Sequence, residues 1–336
     1  MTEPTLRDRS RAARRGAGRG ASSIPVLGDV FAGRYRLLEP IGAHDRGRRV
    51  FRARDDILAR DVAVAVFTVD AAQPRRLTGA RTLAALDHPS LITLYDAQIT
   101  ADGKAYVVMD FIGGPSLRRL VEQTGPLAPD AAAAVVSDVA RGLAAIHHLG
   151  IVHGRVASSN VLLRPRRDTT RPFAAVLTGF DITHLRGEDP HPARGRAYLT
   201  PEELRGEAVR SASDVYALGL LALEALTGEP PLRGGPIQDL VLAPLAYDPD
   251  IPDRFGTGWR ALLTAMTDPD PGARPTAAEV VDLVAEVREG GGMPRRDPSS
   301  AGTISEPVPA SRAVDLLRDT SARRRPAIWT WVTHYR

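Results

Sequence analysis

The stretch "IVHGRVASSNVLL", residues 151–163, decides how this chain is read. Two apolar residues lead into His153, Asn160 follows seven positions later, and Val161 to Leu163 form an apolar exit. An apolar lead, a polar middle and a strand-like exit describe a loop laid over a core, presenting a few side chains to solvent or ligand. Between the His and the Asn the only charged side chain is Arg155, and no acid lies between Asp138 and Asp168.

Working outward, the flanks split into two kinds of pattern. Upstream, "RYRLLEPIG" (34–42) and "RRVFRAR" (48–54) read as strands joined by the loop Gly42 to Gly47, and "RDVAVAVF" (60–67) as a Val-rich strand. Pro74 opens a predicted helix that runs to Leu86, with Leu77, Leu83 and Leu86 on its apolar side. "SLITLYDAQ" (90–98) and "AYVVMDF" (105–111) flank Asp102-Gly103, a hairpin signal. Downstream, helices are predicted over 129–149, 213–227, 257–268 and 276–288, the second apolar on nearly every side and therefore central. The fold class is α+β, with a small β-rich lobe followed by a large α-helical one.

Bulk properties bound the function. The chain has 336 residues, enough for a sizeable core, and no Cys, which removes disulfides, thiolate chemistry and Cys-based zinc sites. The N-terminus lacks the apolar stretch of a secretory signal, and no run of 18 apolar residues exists. A cytoplasmic location is expected, peripheral to a membrane if the tail attaches. The net charge of +4 belongs to the two ends, which are Arg-rich, while the middle is acidic. Residues 1–33 and 289–336 are expected to be disordered basic segments. Lys104, the single Lys, falls beside the Asp-Gly turn and reads as a solvated turn residue.

Residues 34–288 resemble a bacterial Hanks-type Ser/Thr protein kinase domain, motif by motif and in order. "IVHGRVASSN" resembles the catalytic loop H-R-D-L-x-x-x-N. "HPSLITLYD" (88–96) resembles the link into the fourth strand, "YVVMDFIGGPSL" (106–117) the hinge, "TPEEL" (200–204) the A-P-E segment, "SDVYALG" (213–219) the start of the central helix and "RPTAAEV" (274–280) the last helix with its Arg. The resemblance implies a bilobal protein-kinase-like fold, N-lobe 34–112 and C-lobe 113–288.

It also implies which residues to inspect, because kinases transfer phosphate by positioning and electrostatics. The strand Lys of V-A-I-K corresponds to Ala65, and the Glu that orients it corresponds to Gly79. The base of H-R-D corresponds to Arg155, which accepts no proton near neutral pH. The Lys two residues on corresponds to Ala157, and the Mg²⁺-holding Asp of D-F-G to Gly179. Asn160 remains, with Asp181 the nearest carboxylate, a weak set for Mg²⁺. In the phosphate loop His44 stands at the middle Gly, with Asp45 beside it. The residues that build the family's fold are kept: Leu83, Leu94, His153 and Phe180 as a packed spine, Asp214 as its anchor, Glu202 with Arg274 as an ion pair. Val50, Ala63, Met109 and Leu162, with Asp110 and Phe111 at the hinge, fit the family's adenine slot.

This pattern leads to the expectation of a pseudokinase, not an enzyme, with no catalytic residue and no metal site, serving as a scaffold or adaptor in Ser/Thr kinase signalling. Two alternatives stay open: a non-catalytic ATP/ADP-binding sensor, and a Ser/Thr protein kinase with a non-standard active site. No cofactor is required, ATP or ADP binding weakly without Mg²⁺. Expected partners are proteins, among them an active Ser/Thr kinase or a phosphothreonine-reading domain reached through the tail, which carries Thr303, Ser305, Thr320 and Ser321. No specific nucleic acid is expected. Trp329 and Trp331 after three Arg suit peripheral membrane contact.

Overall fold

Arg60–Thr68 alternates branched and small residues, and it forms β4, the longest strand of a six-stranded antiparallel sheet. The other strands are β1 (Val30–Phe31), β2 (Tyr35–Pro40), β3 (Arg49–Asp55), β5 (Leu94–Ile99) and β6 (Lys104–Asp110), in the order β1-β2-β3-β4-β6-β5. The computed structural model describes residues 27–41, 49–68, 84–99, 104–166, 171–180, 198–230 and 251–289. Among these, 27–41, 49–68, 94–99 and 104–111 form one compact unit, and 84–93, 112–166, 171–180, 198–230 and 251–289 form a second.

In the first unit, the two-residue period of a strand sends Val62, Val64 and Val66 to one face. There they join Tyr35, Leu37, Phe51, Ala53, Tyr106 and Val108 in a buried cluster. Ala63 and Ala65 point the other way, beside Met109 and Val107 in register. The β3–β4 turn is closed by Asp55, fully buried, which accepts two hydrogen bonds from the Arg34 guanidinium (2.8 and 2.7 Å) and one each from the Ile57 and Leu58 amides. The Arg34 guanidinium pulls the Asp55 carboxyl down to about 2. β5 and β6 pair antiparallel as predicted, while the Asp102-Gly103 turn lies outside the described residues.

The second unit is built from helices α1 (Leu117–Thr124), α2 (Pro129–His148), α3 (Pro201–Leu204), α4 (Ser211–Thr227), α5 (Gly256–Met266) and α6 (Ala277–Glu289), with a hairpin of β7 (Val161–Pro165) and β8 (Phe173–Leu177). Helix α4 is buried from Ser213 to Leu226, as its all-round apolar pattern requires. It begins at Ser211, two residues before the predicted start. Ser213 lies inside the first turn, its hydroxyl accepting from the Arg210 amide at 3.0 Å. Helix α1 was not anticipated. Ser116 caps it by accepting from the Arg119 amide, and Leu117, Leu120 and Val121 bury one stripe.

Among the described residues, 84–93 group with the helical unit. The reason is local pairing: the Ile92 amide donates to the Leu177 carbonyl (3.0 Å) and the Leu177 amide to the Ser90 carbonyl (2.8 Å). The helix predicted from Pro74 lies almost wholly outside the described residues, as do 1–26 and 290–336; the N-terminal segment expected to be disordered through residue 33 instead contains β1, where Val30 and Phe31 pair with Arg36 and Tyr35.

Candidate functional site

The loop 151–160 hangs from the central helix. Asp214, in the first turn of α4, is fully buried. It accepts hydrogen bonds from the backbone amides of His153 (2.8 Å) and Gly154 (2.9 Å), and His147 Nε2 lies 3.0 Å away. Gly154 adopts φ 70°, a left-handed backbone that turns two successive amides toward one carboxylate. The His153 ring is 1 % exposed and packs on Phe180, centroids 4.6 Å apart, while its Nδ1 accepts from the Arg155 amide at 3.1 Å. His153 is thus a packed residue, as is Phe180. Leu94, the third expected spine member, is buried in the sheet unit, and Leu83 lies outside the described residues.

Arg155 follows, half-buried. Its carbonyl accepts from Asn160 Nδ2 at 2.7 Å, closing the loop on itself. Ala157 is buried at 5 %, so an apolar methyl occupies the position where the resemblance places a Lys. The Thr178 amide donates to the Asn160 carbonyl (2.8 Å), bringing Gly179, at φ 84°, against the Asn160 side chain. Among the described residues no group of three or more His, Cys, Asp or Glu side chains is arranged to hold a metal. The Mg²⁺ implied by the resemblance needs a carboxylate at 179, where Gly offers no side-chain oxygen, so the residues present do not fit it. Asp181 and Gly79 lie outside the described residues, as does the loop Gly42–Gly47.

A buried polar cluster beneath the loop was not foreseen. Ser158 Oγ donates to Glu224 Oε1 at 2.8 Å, the Tyr198 hydroxyl donates to Glu224 Oε2, and the Ser158 amide donates to the Tyr198 hydroxyl at 3.1 Å. The one available signal was Glu224 itself, an acid inside the apolar run 215–226. Burial pushes the Glu224 carboxyl up from its ordinary 4.5, against a smaller opposing pull from the Ser158 hydrogen bond. A raised carboxyl contributes stability that is complete below the unfolded-state value and is lost as pH rises through the folded-state value. Glu224→Gln removes that titration. The expected result is a melting temperature that declines less than the wild type's between acid and neutral pH; parallel curves would show that Glu224 does not titrate there.

Beside this cluster, Arg274 forms a bidentate pair with Glu202 at 2.8 and 3.0 Å, both side chains buried. Ser213 donates to the same carboxylate, at 2.5 Å. The pair ties α3 to the segment that leads into α6, beside Ser213 in the first turn of α4.

In the sheet unit, Ala65 is 3 % exposed, paired with Val50 on β3 and Val107 on β6. Its methyl stands where the resemblance places an ammonium group. Ala63 and Met109 are neighbours in register and buried, and Val50 is half-buried. Asp110 accepts from the Tyr95 hydroxyl at 3.4 Å, and the Arg52 guanidinium stacks over Phe111 at 5.0 Å. Leu162 belongs to β7 in the helical unit, half-buried.

Comparison with known proteins gives a match to the protein kinase domain model over residues 35–284. Serine/threonine-protein kinase PknB of Mycobacterium tuberculosis is 31% identical over 326 residues, covering 86% of this chain and 50% of that protein. Serine/threonine-protein kinase PkaA of Streptomyces coelicolor is 30% identical over 315 residues (86% and 57%), and PrkC of Bacillus subtilis 27% over 311 (88% and 46%). The chain spans about half the length of the curated relatives it matches. The relatives are named kinases, and this corrects the expectation of a chain that is not an enzyme. The substitutions at 65, 155, 157 and 179 show which groups a reaction here cannot use; they do not show that none takes place. No helix among the described residues is long and apolar enough to cross a membrane.

Proposed function

Because the chain belongs to the protein kinase domain family and is homologous to bacterial Hanks-type Ser/Thr kinases, we propose that it acts in Ser/Thr phosphorylation signalling as a protein kinase with a non-standard active site. The observation that carries this reading is the loop 151–163. Its backbone is held by Asp214, and its one charged side chain is a guanidinium in place of a carboxylate. A guanidinium suits phosphate oxygens, which it can grip through two parallel N–H groups. The transferred γ-phosphoryl group leaves ADP and bonds to a Ser or Thr hydroxyl oxygen. The hydroxyl proton goes to water, because Arg155 takes none. Positioning and charge neutralisation then carry the rate, at a large cost. Loss of one preorganised stabilising group typically costs about 10²–10³ in turnover.

The test is transfer of radiolabelled γ-phosphate from ATP to a Ser/Thr-rich acceptor protein by the full chain and by Arg155→Ala. The expected result is slow incorporation on Ser and Thr, falling about 10²-fold or more in the variant, the range for removing one preorganised stabilising group. Incorporation at the level of a heat-denatured control, or equal rates in both proteins, would overturn the proposal.

A further inference from the structure

The contact between Asn160 and Gly179 bears on what this lobe can bind. Asn160 leaves its loop with Nδ2 donating to the Arg155 carbonyl, and its own carbonyl accepts from Thr178. These two bonds fix the side chain against the next residue, Gly179. A Cβ added there would lie 2.6 Å from Asn160 Cγ and Oδ1 and 2.9 Å from Nδ2, closer than side-chain carbons approach one another. Gly179 also holds φ 84°, where side chains are strained. The Asn160 amide therefore fills the space through which any side chain at 179 would have to leave the backbone. Nδ2 is held by the loop carbonyl, and the amide as a whole lies against Gly179.

We propose that Asn160 is a positioning residue that closes this strip by packing on the bare Cα of Gly179, so that nucleotide phosphates meet the lobe without a divalent cation. The phosphate half of the inference rests on the nucleotide-binding activity proposed above; the packing half does not. A carboxylate restored at 179 alone finds its place already taken. The charge of the loop agrees: residues 151–163 contain Arg155 and no acid. A guanidinium there attracts phosphate oxygens and repels Mg²⁺.

Two measurements on the full chain decide it. The first is a double-mutant cycle of melting temperatures with Gly179→Ala, Asn160→Ala and the pair. Gly179→Ala is expected to lower the melting temperature by several degrees, through collision and strain together. In the Asn160→Ala background the collision is gone, and the same change costs distinctly less. Additive effects would overturn the packing contact. The second is stabilisation by ATP with Mg²⁺ and with EDTA, for the wild type and Gly179→Asp. Equal shifts in both media are expected for the wild type, and no Mg²⁺-dependent gain for Gly179→Asp. A shift that needs Mg²⁺ in either protein would overturn the metal-free inference. Absence of any ATP response would refute the nucleotide reading and the phosphate half with it, while the first cycle still decides the contact.

Discussion

Arg274→Ala destabilises the helical unit by about 3–5 kcal/mol, the cost of breaking a buried ion pair from one side. The Arg274 side chain is fully buried and that of Glu202 is 3 % exposed. The guanidinium bonds both Glu202 oxygens, donates to the carbonyls of Asp268 (2.7 Å) and Ala212 (3.0 Å), and lies 4.7 Å from the Tyr216 ring centroid. Truncation leaves a carboxylate in the interior with the Ser213 hydroxyl and its own backbone amide to answer it. Burial alone would push the Glu202 carboxyl up, yet the Arg274 and Ser213 hydrogen bonds outweigh it and hold the group below its ordinary 4.5. A depressed carboxyl contributes stability that is present above the unfolded-state value and is lost as pH falls through the folded-state value. The difference between wild type and Arg274→Ala is therefore largest near neutrality and shrinks in acid. Denaturant unfolding at both pH values measures this. The double variant Arg274→Met, Glu202→Leu should recover much of the loss, since it removes the stranded charge as well. A midpoint unmoved by Arg274→Ala would mean that the pair contributes nothing.

What the sequence disclosed follows from how local each signal is. The Val-Ala alternation of β4 marks a strand within nine residues, and the apolar run of α4 marks a central helix without reference to anything else. Glu202 with Arg274, and Asp214 with the loop after His153, lie 72 and 61 residues apart, yet both were legible because short motifs carry each partner. Ser158, Tyr198 and Glu224 meet just as closely, but no motif marks them, and an acid in an apolar run does not say which hydroxyl will reach it. Helix α1 has eight residues, too few for a 3.6-residue period to stand out. The grouping of Ser90 to Ile92 with the helical unit depends on pairing with Leu177, which sequence spacing cannot show. Functional inference overreached for a different reason. A list of missing charged groups describes one closed route only, and the relatives that the chain matches are named kinases.

The loop itself is the place where fold and proposed function should fail together, through Asp214. Its carboxylate is 0 % exposed and sits in the first turn of α4, where the helix dipole favours a negative charge. Asp214→Ala takes the acceptor from the buried amide of His153 and the half-buried amide of Gly154, and from His147 as well. A stranded donor in such a place costs roughly 1–3 kcal/mol, so the substitution is expected to cost about 2–5 kcal/mol. Asp214→Asn keeps one acceptor oxygen and turns an amide N–H₂ toward the other donor, so it should fall between Ala and the wild type. Local effects reach further than the global loss. With the two amides released, the left-handed turn at Gly154 loses its carboxylate anchor, and the backbone under the His153 ring on Phe180 loosens with it. The Arg155 guanidinium, two residues along, then samples many positions, so Asp214→Asn should weaken ATP stabilisation more than it lowers the melting temperature. Hydrogen exchange at the His153 and Gly154 amides distinguishes this from general weakening. Exchange should accelerate there at denaturant concentrations that leave helix α4 protected; uniform acceleration along the helical unit would mean that Asp214 supports the core and does not suspend the loop.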